Sequence, residues 1–143
     1  MTDATGSRFA DPSGDLKSVR GAAVLQVVLG VGFGVGTVLA LTHFARHGEL
    51  PMTPWGFRAL GGGPFEQLDS GRFTALGWSL VGVSALDVLA GIWLWQGRRR
   101  GLRLGLATAA PAFGLSVGFA LPFLLVGVPI RLALVVAGRR RLK

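Results

Sequence analysis

Cysteine is absent from this 143-residue chain. The chain therefore has no disulfide framework, no thiolate nucleophile and no cysteine-based metal site, and it cannot relay electrons through paired cysteines. Acids are scarce as well, with seven Asp and Glu against fifteen Lys and Arg, a formal net charge of +8. Charged residues make up only 15% of the chain, half of it is apolar, and the mean hydropathy is +0.54. A soluble domain of this length needs a more heavily charged surface. Catalytic signatures are missing too. There is no HExxH, no serine elbow, and no Walker lysine. The G-x-G-x-G at Gly30–Gly34 lacks both the preceding strand and the spacing of a dinucleotide fingerprint.

What the chain does contain is long uncharged runs separated by basic clusters. Residues 1–20 are polar and read as a flexible cytoplasmic tail ending in Lys17 and Arg20. Four apolar spans then follow, at about residues 21–45, 73–96, 104–121 and 123–138. At ~1.5 Å per residue the first two exceed a ~30 Å hydrocarbon core. Val38-x-Ala40 resembles a signal-peptide cleavage site, but three further apolar blocks favour a retained span. Pro122 separates the last two runs and suits a tight turn, because proline cannot continue a helical ladder. The fold class expected is an all-α integral membrane protein: a single four-transmembrane-helix bundle over 21–143, with one long outer loop over 46–72.

Orientation follows from the bases. With both termini cytoplasmic, ten bases flank the inner side: Lys17, Arg20, Arg98, Arg99, Arg100, Arg103, Arg139, Arg140, Arg141 and Lys143. The outer loop holds three, Arg46, Arg58 and Arg72, balanced by Glu49, Glu66 and Asp69. The positive-inside rule selects N-in and C-in. The bases thus read as membrane flanks, and no nucleic-acid partner is expected. Trp93 and Trp95, just before the inner arginines, and Trp78 near the outer end of its span suit headgroup depth. The outer loop carries three prolines and six glycines. It is expected either on the membrane surface or as a cap on the bundle, with a short helix at Pro64–Ser70.

Two formal charges lie inside the spans, Asp87 and Arg131. A charge near mid-bilayer costs at least ~2.5–3.5 kcal/mol, so each needs a partner. Arg131 lies eight residues before Arg139 and Asp87 eleven before Arg98, about 12 and 16 Å from the inner arginines. Both spans run outward to inward, so the two groups match in depth and an intramembrane pair is expected. Such a pair either locks two helices or serves as a coupling site. A proton relay needs an acid that can become neutral, which a bound guanidinium opposes.

His43 and His47, spaced i,i+4 with Glu49 beyond, are candidate outer-face ligands. Two interfacial histidines without a metal is the preferred reading, and no cofactor is expected. Gly30, Gly32, Gly34 and Gly36 form two overlapping small-xxx-small pairs that permit close helix packing, within the bundle or between copies. Arginine outnumbers lysine 13 to 2 amid abundant Ala, Gly, Val and Leu, which suggests a GC-rich bacterial source. The expected location is the bacterial inner membrane, multi-pass. The expected role is a non-catalytic subunit, assembly or stabilising factor of a larger membrane complex, with lipid and other membrane subunits or self-association as partners. The alternative is a small oligomeric transporter using Asp87.

Overall fold

Four α-helices account for most of the chain in the computed structural model, which describes residues 12–138: α1 Pro12–His47, α2 Ser70–Trp95, α3 Arg99–Gly118 and α4 Pro122–Gly138. Among the described residues there is no strand beyond an isolated bridge between Met52 and Arg58. Residues 1–11 of the tail and the bases at 139–143 lie outside the described residues. Residues 12–20, read above as part of the tail, are the opening turns of α1. Successive helices pack on each other and α4 closes on α1, giving an up-down-up-down ring.

The helix ends explain the connections. Gly48, at φ +73°, stops α1 and returns its N–H to the Phe44 carbonyl at 2.8 Å. Asp69 caps α2 by accepting the Arg72 N–H at 3.3 Å. Gly97 (φ +72°) ends α2, with Gly97 and Arg98 donating to the carbonyls of Leu94 and Trp93 in a Schellman pattern. α3 begins at the next residue. Arg99, Arg100 and Arg103 therefore lie inside α3, and the α2–α3 turn is shorter than the charge pattern suggests. At the other end of α3, Ala120 takes the left-handed conformation (φ 49°) while Leu121 donates to Ser116 at 2.8 Å. That conformation costs a non-glycine residue about 1–2 kcal/mol. The turn is thus Phe119–Leu121, and Pro122 opens α4, where its missing N–H costs nothing.

The segment between α1 and α2 is a cap on one end of the bundle. Thr53 to Phe57 closes a small turn, with the Thr53 N–H donating to the Phe57 carbonyl at 2.8 Å. Glu66 accepts from the Gly62 N–H at 2.6 Å and from Arg58 at 3.2 Å, so the loop is tied to itself. Leu60 is buried, and Phe65, on the single 3-10 turn Pro64–Gln67, meets Phe119 edge-on at 5.1 Å. Gly63 and Gly118 allow this closure: a Cβ on Gly63 would strike the Gly118 carbonyl, and one on Gly118 the Phe65 ring. Trp55 and Phe57 stack on each other and stay exposed. The expected helix at Pro64–Ser70 shrinks to that one turn, because Asp69 caps α2 instead and Ser70 begins it.

Two apolar clusters form the core. One, at the end nearer the α1–α2 loop, gathers Leu41, Leu60, Phe73, Leu80, Leu115, Phe119 and Val128, and the other, at the opposite end, Val19, Ala22, Ala23, Leu94 and Val135. Large apolar side chains also cover the outside of all four helices, among them Val28, Leu39, Trp78, Ile92, Phe113, Val126 and Ile130. α1 (over Lys17–His47) and α2 are long and apolar enough to cross a membrane, and α4 carries a shorter apolar stretch, Leu125–Ala137.

Candidate functional site

Between the two apolar clusters lies a polar layer to which every helix gives one side chain. Arg131 of α4 places Nη1 2.6 Å from Oδ2 of Asp87 on α2. The other carboxylate oxygen, Oδ1, accepts the Thr108 hydroxyl of α3 at 2.5 Å and the Gln26 amide of α1 at 3.4 Å. All four residues are buried, Arg131 to 2% and Asp87 to 3% exposure. Both oxygens of the carboxylate are engaged, and the knot ties four helices through one anion. The layer forms because the four side chains lie at similar heights, eight to eleven residues from the basic residues at the end of the bundle opposite the α1–α2 loop. Gln26 is nine residues beyond Lys17 and Thr108 nine beyond Arg99, each a rise of about 13 Å. Gly105 makes room for it, since a Cβ there would lie 3.1 Å from the Gln26 amide nitrogen.

Gln26 and Thr108 escape a search for charges because they are neutral residues common in helices. Their depth, counted from the basic flanks, is close to that of the pair, but nothing else in the sequence marks them as partners. One donor of the knot stays open: Arg131 Nη2 is buried and without a hydrogen-bond partner among the described residues. A buried donor left unmade costs about 1–3 kcal/mol.

The glycine stripe splits by face. Gly30 lies directly on α2, where a Cβ would meet Val88 at 2.7 Å and the Ser84 carbonyl at 2.8 Å, and Gly34 faces the Ser84 Cβ at 3.3 Å. Gly32 and Gly36 are exposed, with nothing within 4 Å of a would-be Cβ. Only the first pair packs inside the bundle.

The histidines stack, ring centroids 4.2 Å apart, and His47 Nδ1 sits 3.1 Å from the His43 carbonyl. They line a cavity with Pro51 and Ala59, whereas Glu49 lines a separate one, of about 480 Å³, with Arg58, Glu66 and Phe73. His43, His47 and Glu49 are therefore not brought together. Among the described residues, no group of three or more His, Asp or Glu is placed to hold a metal ion.

No family model, curated protein or solved structure matches this chain.

Proposed function

We propose that this chain is an integral membrane protein of four spans, with both ends on the cytoplasmic side, and that it serves non-catalytically as a subunit or assembly factor of a larger membrane complex. The observation that carries the reading is its reversed polarity. An ion pair is held at the centre, between Asp87 and Arg131, while large apolar side chains face outward on every helix. In water such an exterior invites aggregation. In lipid it is the required surface, and an intramembrane charge pair then belongs in the interior. Helices also satisfy their own backbone in lipid, and interior prolines such as Pro111 and Pro129 are tolerated there when neighbouring groups take up the freed carbonyls. The knot supports a structural role because Asp87 has neither oxygen free to take a substrate. Purification in mild detergent with identification of co-eluting proteins tests this reading. Stable co-elution of other membrane proteins supports it, and recovery of the chain alone, as monomer or homo-oligomer, contradicts it.

A second reading, a small transporter using Asp87, has one observation in its favour: the unpartnered Nη2 of Arg131 beside the carboxylate. It requires Asp87→Asn to leave the bundle as stable as the parent while abolishing proton or substrate movement in proteoliposomes.

A further inference from the structure

Along the inner half of the α1–α2 seam runs an open apolar groove of about 250 Å³, lined by Val24, Val27, Val28, Gly91, Ile92 and Trp95. Gly91 sets its depth: a Cβ there would lie 2.7 Å from Val27, so the helices touch at that point, and Val28 and Ile92 stand out as flanks. The groove does not end on neutral surface. Gln96 borders its inner end, and the Arg20 guanidinium lies 5.7 Å from the centroid of the exposed Trp95 ring. Two residues past Gln96 begins the run of Arg98, Arg99, Arg100 and Arg103, which together line a second cavity of about 470 Å³. The first turn of α3 contains no acid and Arg98 makes no side-chain cap, so these cations crowd the positive end of a helix. That end favours negative charge.

An apolar trough with an indole and a guanidinium at its mouth, and a run of arginines that begins two residues past its border, has the chemistry of one kind of occupant. We infer that the groove binds an anionic phospholipid, its acyl chain along Val24, Val28 and Ile92 and its phosphate at Arg20 and the neighbouring start of α3. A partner helix would need the apolar trough and not the cations. The inference rests on the membrane reading above, since it places this end of the bundle at headgroup depth. Juxtamembrane Lys and Arg each favour anionic lipid about fivefold.

The test uses the full chain reconstituted in vesicles of equal phosphatidylglycerol and phosphatidylcholine, then extracted in mild non-ionic detergent, with retained lipid counted by native mass spectrometry. The parent should keep phosphatidylglycerol over phosphatidylcholine by about fivefold or more. Arg20→Gln should cut that preference about fivefold and Arg20→Lys should restore it. Val24→Trp, which fills the trough from an exposed position and leaves every charge in place, should abolish retention of either lipid. Equal retention of the two lipids by the parent overturns the site. So does undiminished retention by Val24→Trp, or displacement of the lipid by millimolar inorganic phosphate, which would assign the cations to a free anion. Co-purification of another protein that protects Val24→Cys from a thiol reagent, with no lipid retained, overturns it in favour of a helix partner. A chain that stays in the aqueous fraction without detergent sinks the membrane reading as well, whereas insertion without lipid preference sinks this site alone.

Discussion

Replacing Asp87 by Asn keeps the shape of the side chain and removes its charge, leaving Arg131 as an uncompensated cation at 2% exposure. Breaking a buried pair in this way costs about 3–5 kcal/mol. For a domain near this size each kcal/mol lowers Tm by roughly 2–4 °C, so a fall of roughly 6–20 °C follows. Arg131→Leu should fall within the same range, because it leaves the carboxylate with only the Thr108 and Gln26 donors. The informative step is the double change, Asp87→Leu with Arg131→Met, which removes both charges. It should recover most of the loss and not all of it. Gln26 then loses its acceptor, at about 1–3 kcal/mol, while Thr108 keeps the Gly105 carbonyl at 3.3 Å. Adding Gln26→Leu should return part of the remainder. The assay is thermal unfolding in detergent followed by size-exclusion fluorescence, on variants that elute as single species. If either single variant unfolds within a degree or two of the parent, the pair is no lock and the reasoning fails.

Further outcomes follow from the same geometry. Gly30→Ala should lower stability, since its methyl would strike the backbone of Ser84, whereas Gly32→Ala and Gly36→Ala, which face open space, should raise it by about 0.5–1 kcal/mol each; the reverse order in a melting series would refute the assignment of faces. Gly118→Ala should loosen the cap by displacing Phe65, detectable as faster proteolysis within residues 50–63 and little change elsewhere. Purified protein should carry well below one equivalent of zinc per chain, and His43→Ala should leave its unfolding temperature unchanged, as checked by elemental analysis and a thermal melt.

The charge layer is legible in the sequence because helical rise is fixed: counting residues from basic flanks gives depth, and depth alone aligns Asp87 with Arg131. The same count applies to Gln26 and Thr108, but neutral residues carry no cost that demands a partner, so nothing in the sequence singles them out. Helix ends are less legible. The apolar run that marks the third span begins at Leu104, yet α3 starts at Arg99, because arginine ends a hydrophobic stretch without ending a helix. The last turn is legible in place, because Pro122 marks it, but not in detail: it occupies Phe119–Leu121 and uses Ala120 in a left-handed conformation that usually favours glycine, held by the Leu121 hydrogen bond and the burial of Phe119. The two glycine pairs have identical spacing, so only the placement of α2 decides which one packs. His43, His47 and Glu49 look close in the chain, but Gly48 ends the helix between them and turns Glu49 toward a different cavity.

The membrane reading underlies all of this, and cysteine accessibility tests it most directly, since the native chain offers no competing thiol. Gln67→Cys, in the cap, should react with an impermeant maleimide added to intact cells, and Arg100→Cys, in the first turn of α3, should react only after the membrane is permeabilised. Labelling of Arg100→Cys but not Gln67→Cys in intact cells would invert the orientation. Labelling of neither before lysis, with both reactive in the soluble fraction afterwards, would contradict the four-span account outright.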